Sequence, residues 1–290
     1  MSEAQVLLQG AYTVSAVREL VNSWRLTHQT VALVPTMGNL HEGHLSLTRL
    51  ARAHADKVVC SIFVNPTQFT PTEDFSSYPR TLAEDEALLG EQGMVHIVFA
   101  PEEADIYPFG TEAAVQVVMP RLAEELCGAT RPGHFNGVAS VVLRFLNIVA
   151  PDVLVLGQKD YQQVILLQRM IADLQLPIQV VAGPILREAD GLAMSSRNRY
   201  LTPTERKLAP QLHAELERVG AGVKQGAGDY AALESAASRA LTEAGFRPEY
   251  VEVRRAIDLG RPNGVESKDQ LVVVAAAWLG RARLIDNVQV

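Results

Sequence analysis

Cysteine is scarce. Cys60 and Cys127 are the only two in 290 residues, and they form no C-x-x-C pair. That excludes a disulfide framework and a cysteine-built zinc site, and it fits a reducing, cytoplasmic compartment. Cys60 lies inside the apolar run 58–64 and reads as a core thiol. Positive charge is also in deficit: 26 Lys and Arg against 33 Asp and Glu leave a net charge of −7. Nucleic acid is held by surplus cations, so no nucleic-acid partner is expected. A small anionic ligand is not excluded, because it needs only a local positive pocket. No apolar run approaches the ~18 residues of a membrane span. The longest, 138–150, is interrupted by Arg144 and Asn147, so no membrane partner is expected. The first ten residues have neither the basic stretch nor the long apolar stretch of a secretory signal. The G-x-x-x-x-G-K-[ST] loop and the G-x-S-x-G elbow are missing too. No covalent nucleophile is convincing, and the polar inventory points instead to electrostatic and positioning catalysis.

Apolar residues make up 48% of the chain, enough for a proper core. Short β-branched runs at 31–34, 58–64, 95–99, 153–156 and 178–181 alternate with helical patterns at 45–55, 81–92, 138–149 and 162–174. Such alternation predicts an α/β fold, a Rossmann-like parallel sheet covered on both faces. Beyond Arg199 the pattern changes. A helix over 203–219, a turn carrying Gly220, Gly222, Gly226 and Gly228, and a helix to 244 precede three strand-like runs at 250–257, 270–278 and 282–285. These predict a smaller α+β domain with an antiparallel sheet. The expected division is 1–184 and 185–290.

In parallel sheets ligands bind beyond the carboxyl ends of the strands. The segments there are the unusual ones. Residues 31–44 read VALVPTMGNLHEGH: a buried strand, a tight turn and a helix start carrying His41 and His44. Two histidines beside the free N–H groups of a helix start suit a nucleotide phosphate, although either alone reads equally as a polar loop residue. Asn65 and Gln68 follow the next strand and offer uncharged amides to hydroxyl and carbonyl groups, or simply make an Asn-Pro turn. Arg131 and His134 occupy a Gly/Pro loop that is either a cationic flap or a helix entry. Gly157, Gln158, Lys159 and Asp160 end another strand; Lys159 suits phosphate, and Asp160 suits a ribose hydroxyl or a helix cap. Met194, Ser195, Ser196 and Arg197 group two hydroxyls with a guanidinium, fit for a polyphosphate or for a polar linker.

H-x-G-H after a first strand, with a later M-S-S-R loop, resembles the nucleotidyltransferase superfamily and its adenine nucleotide alpha hydrolase-like fold. The ordered set PTMGNLHEGH, FVNPTQF, YPRT, RPGHFNGV, GQKDYQQ and MSSRN is narrower. It resembles the pantoate–β-alanine ligase (pantothenate synthetase) family, most fully over 31–202. The resemblance implies an AMP-forming ligase of the pantothenate and coenzyme A route, with ATP, (R)-pantoate and β-alanine as substrates. It implies His44 as proton donor, with His41, Lys159 and Arg197 as further catalytic groups. Met37, Gly38, Asn39, Leu40, His41, Glu42, Gly43 and His44 would bind ATP, as would Gly157–Asp160, Leu186 and Met194–Arg197. Gln68 and Gln163 would hold pantoate, with Asn65, Tyr78, Arg131 and His134 beside it. Mg²⁺ would arrive with ATP, near Asp85 and Glu84. A homodimer is implied, with 115–119 as an edge strand for pairing, and the C-terminal domain as a lid. Gln158 stands where many relatives carry Glu. Two other readings stay open: an adenylyltransferase for a phosphorylated substrate, and a non-catalytic nucleotide sensor.

Overall fold

A computed structural model describes residues 7–71, 73–119 and 121–290. They divide into two compact units. The described residues through Gly157, with Leu166–Gly183, form the first; Gln158–Ile165 with Pro184–Val290 form the second.

The first unit is built on a six-stranded sheet. In chain order it contains β1 (Gln9–Ala11), α1 (Val14–Arg25), β2 (Val31–Thr36), α2 (Glu42–His54), β3 (Lys57–Ile62), α3 (Leu82–Gln92) and β4 (Ile97–Phe99). Two short helices follow, α4 (Glu103–Ile106) and α5 (Cys127–Thr130), then α6 (His134–Val149) and β5 (Val153–Gly157). Helix α7 (Tyr161–Asp173) starts in the second unit and ends in the first, before β6 (Gln179–Gly183). The sheet order is β1-β4-β3-β2-β5-β6, and every pairing is parallel. Both faces are covered. Val34, Val58, Cys60 and Val155 meet Leu45, Ala51 and Leu89 of α2 and α3, while Phe145 of α6 meets Phe99 edge-on at 6.0 Å. Burial on two sides is why these strands read as unbroken apolar runs. It also pushes the Cys60 thiol up to about 12, so that cysteine is an inert core residue.

From β2 the chain passes to β3 and β4 on one side, whereas β5 and β6 lie on the other. The strand order therefore reverses between β2 and β5. That is the point at which open parallel sheets bind ligands, and β2 feeds directly into the H-x-G-H turn.

The second unit holds α8 (Pro203–Leu208), α9 (Gln211–Lys224), α10 (Tyr230–Glu243) and an antiparallel sheet β7-β8-β9 (Arg247–Arg255, Leu271–Leu279, Ala282–Gln289). Leu212, Leu216, Val219, Val223 and Leu241 pack on Val251, Val253, Val273, Ala275 and Leu284.

Several expectations are corrected. The helix expected over 203–219 is two helices, because Pro210 at the start of α9 has no N–H to continue α8. Gly220 and Gly222 lie inside α9 rather than in the turn. A Cβ on Gly222 would meet Leu233 of α10 at 2.9 Å, so that glycine lets the two helices approach. Residues 115–119 are not a strand. Ser140 Oγ accepts the Val117 N–H at 2.8 Å, Asn136 Oδ1 accepts the Met119 N–H at 2.9 Å, and Arg144 donates to the Val115 carbonyl at 2.8 Å. Side chains of α6 thus take the backbone groups that a strand ladder would use. The sequence expectations omit β1, whose three residues carry too little pattern, and α1, although its Thr13 cap and the spacing of Val14, Val17 and Val21 are legible helix signals.

Candidate active site

Beyond β2 the chain turns through Gly38 (φ +76°) and Asn39 (φ +50°). Thr36 Oγ1 accepts the Gly38 N–H at 3.2 Å and donates to the Ser61 carbonyl at 2.7 Å. The Asp85 carboxylate takes the next two N–H groups, Asn39 at 2.9 Å and Leu40 at 2.7 Å. Helix α2 then begins with a reciprocal cap made by two histidines. His41 Nδ1 accepts the Gly43 N–H at 3.1 Å, and His44 Nδ1 accepts the His41 N–H at 3.3 Å. The rings lie 4.1 Å apart. An imidazole nitrogen that accepts carries no proton, so in both rings the proton sits on Nε2. The motif therefore yields two Nε2–H donors at a helix N-terminus, where anions are favoured. Glu42 in the first turn pairs with Arg49.

A second group of side chains surrounds the 3₁₀ turn at Pro66–Gln68, after β3. Asn65 is 1% exposed. Its amide donates to Gln68 Oε1 at 3.0 Å and to the Gly137 carbonyl at 3.3 Å, and its oxygen accepts from Tyr107 at 2.7 Å. Gln68 Nε2 reaches Met37 Sδ at 3.1 Å and so joins this turn to the H-x-G-H turn. His134 Nδ1–H donates to the Gln68 carbonyl at 2.7 Å, leaving Nε2 to accept from Arg131 at 2.8 Å. Arg131 pairs with Glu73 at 2.7 Å. Burial pushes the Glu73 carboxyl up, but the Thr70 N–H and the Arg131 guanidinium outweigh it and hold it below the ordinary carboxylate value. Glu73 escaped the sequence reading: an acid in a polar loop carries no local signal. Tyr78 is buried edge-on against Phe69.

The remaining residues expected to bind ATP or pantoate lie in the second unit, apart from Gly157. Gln158, Lys159 and Asp160 form a 3₁₀ turn, and Asn287 donates to the Gln158 and Lys159 carbonyls at 2.9 and 3.1 Å. Gln163 is half-buried on α7, whereas its neighbour Gln162 is buried. Residues 186–194 form a hairpin in which the Leu186 carbonyl accepts the Met194 N–H at 3.0 Å. Arg187 grips Asp286 through two bonds of 2.7 and 2.9 Å. Ser195 then caps the turn Ser196–Tyr200 by accepting the Arg197 N–H at 3.3 Å. Lys159, Ser195, Asn198, His213 and Asp286 line a small cavity there. Lys159 and the M-S-S-R loop thus meet within one unit.

The acid pair expected near a metal does not fit one. Glu84 is exposed while Asp85 is 3% exposed. Adjacent helical residues point apart, and both Asp85 oxygens already accept hydrogen bonds. Among the described residues no group of three His, Cys, Asp or Glu side chains is arranged to hold a metal ion.

The sequence profile of the Pantoate-beta-alanine ligase family matches residues 9–289. The chain belongs to this family. Among pantoate-beta-alanine ligase relatives, the pantothenate synthetase of Thioalkalivibrio sulfidiphilus is 50% identical over 283 residues, covering 98% of each chain. The pantothenate synthetase of Nitrosococcus oceani is 50% identical over 278 residues, 96% of each. Among solved structures, the Thermus thermophilus pantothenate synthetase superposes with a TM-score of 0.89 at 41% identity, covering 97% of this chain and 99% of that one. The Francisella tularensis ligase, described as complexed with β-γ ATP and β-alanine, has a TM-score of 0.81 at 33% identity over 98% of both chains.

Proposed function

We propose that the chain joins (R)-pantoate to β-alanine with ATP, releasing AMP and pyrophosphate. In the first step the pantoate carboxylate attacks the α-phosphorus, the α–β anhydride bond breaks and pyrophosphate leaves. In the second, the neutral amine of β-alanine attacks the acyl carbon of pantoyl adenylate, the acyl–oxygen bond breaks, AMP leaves and the amine loses a proton. A free carboxylate is a poor acylating agent; adenylation supplies the leaving group. The observation that carries this reading is the double-histidine cap at the strand-order reversal, with two Nε2–H donors. Preplaced donors of that kind stabilise charge as it grows on the phosphoryl oxygens.

In this reading His44 and His41 serve the phosphates, His44 as proton donor, and Met37–His44 is the ATP turn. Gln68 and Gln163 hold pantoate, with Asn65, Tyr78, Arg131 and His134 supporting them. Gly157–Asp160, Leu186 and Met194–Arg197 serve ATP, with Lys159 and Arg197 on the polyphosphate. The bonds around Asn65, Gln68 and His134 support the pantoate part, since the amides of Asn65 and Gln68 can pair with the hydroxyls of a dihydroxy acid. Mg²⁺ accompanies ATP and offsets phosphate charge when bound. Two copies of the chain associate as a homodimer, and the compartment is the cytoplasm, in keeping with two buried cysteines outside any disulfide.

The test is pantoate-dependent exchange of labelled pyrophosphate into ATP without β-alanine. Exchange is expected in the wild type and is expected to fall about 10²–10⁴-fold in His44→Ala, with folding intact. Exchange driven by a phosphomonoester and not by pantoate would overturn the reading.

A further inference from the structure

Among the described residues of the first unit, the proposed reaction leaves a buried charge without a task. Asp85 sits in the first turn of α3 and is 3% exposed. Its Oδ1 accepts the Leu40 N–H at 2.7 Å; its Oδ2 accepts the Asn39 N–H at 2.9 Å and the Thr81 hydroxyl at 3.1 Å. The two N–H groups belong to the turn that delivers His41. Gly38 and Asn39 both have positive φ there, and consecutive N–H groups in such a turn converge on one anion. Here the anion is a side chain of the protein. Acid and glycine are fitted together: a Cβ on Gly38 would come 2.9 Å from Asp85 Oδ2.

We propose that Asp85 is a positioning residue: an anionic clamp that holds the 37–40 turn so that His41 and His44 meet the ATP phosphates, and not a metal ligand. The inference rests on the ATP reading of those histidines. A carboxylate can accept both N–H groups, whereas the isosteric amide accepts one and turns a donor toward the other. A part-buried N–H then loses its partner, and the turn shifts.

The experiment measures pantoate-dependent pyrophosphate–ATP exchange in D85N, T81V and H44A, against ATP and, separately, against Mg²⁺ at fixed ATP. Melting curves report folding. D85N is expected to lose about 10- to 100-fold in kcat/KM for ATP, with its KM for pantoate and its Mg²⁺ dependence as in wild type. T81V removes only the third bond and is expected to raise KM for ATP a few-fold. A folded D85N with wild-type ATP dependence overturns the proposal, as does a defect relieved by excess Mg²⁺, which marks a metal ligand. Should D85N not fold, T81V decides alone: unchanged KM for ATP overturns the clamp, and a selective rise supports it. If H44A keeps wild-type exchange, the ATP reading of the turn is what fails. If H44A is crippled while D85N is not, only the clamp fails.

Discussion

At the residue scale, His41 does two jobs through two nitrogens. Nδ1 accepts the Gly43 N–H and starts α2, while Nε2–H is the donor proposed to serve the phosphates. The two separate experimentally. Asparagine is among the best N-cap residues, so His41→Asn keeps the cap but loses the donor. We expect its melting temperature to stay at the wild-type value while pyrophosphate–ATP exchange falls about 10²–10³-fold. Equal activity at equal stability would leave His41 only its structural job. The H-x-G-H spacing made these two histidines legible in the sequence, since it sets both at a helix start. Their mutual capping was not legible, because it depends on ring orientation. The bonds of Asp85 are illegible for a similar reason: the family resemblance implies a metal near Asp85 and Glu84, and only the fold brings the Asn39 and Leu40 N–H groups to Asp85. Glu73 went unnoticed because Arg131, its ion-pair partner, is distant in sequence.

At the scale of elements, the position of α6 against the turn Pro66–Gln68 decides the geometry of Asn65 and Gln68. The close approach occurs at Gly137, where a Cβ would lie 2.2 Å from the Thr67 carbonyl oxygen. Backbone cannot yield as a flexible side chain does. In Gly137→Ala, better helix propensity contributes about 1 kcal/mol in favour, and overpacking costs about 1–3 kcal/mol. The clash is with backbone, so we expect net destabilisation and a retreat of α6. The Asn65 bond to the Gly137 carbonyl then lengthens, and kcat/KM for pantoate falls more than that for ATP. A variant that melts higher and keeps its pantoate kinetics would show that the contact is not critical. The long buried strands and helices were legible because burial on both faces leaves unbroken apolar runs. The break at Pro210 was missed because the apolar pattern continues across it. Gly220 and Gly222 were misassigned because glycine marks a turn or a close helix contact equally well, and only packing separates these.

At the scale of the whole molecule, stability against acid has an identifiable source. His96 is 9% exposed, accepts the Val58 N–H on Nδ1 at 3.2 Å and lies edge-on to Trp24. Burial first, then Lys57 and Arg52, push its pKa down from 6.5 to about 4. In the unfolded chain the same imidazole binds a proton below its ordinary value of about 6.5. Between those two values the unfolded state holds more protons than the folded one, so stability rises with pH across the window. The contribution is complete above about 6.5 and is lost as pH falls toward the folded value, amounting to no more than about 3 kcal/mol. Asp85 acts in the opposite sense. Burial raises its carboxyl, so its contribution favours the folded state at low pH and fades as pH rises through the raised value. His96→Asn isolates the histidine's contribution, because the amide oxygen can still accept the Val58 N–H. The smaller side chain leaves a gap beside Trp24, so stability at pH 7.5 is expected to fall. The deciding quantity is the difference between urea unfolding at pH 7.5 and at pH 4.5. We expect wild type to lose about 2 kcal/mol more over that interval than the variant does. Equal losses would mean that His96 titrates alike in both states, and that the acid sensitivity of this protein resides in its carboxylates.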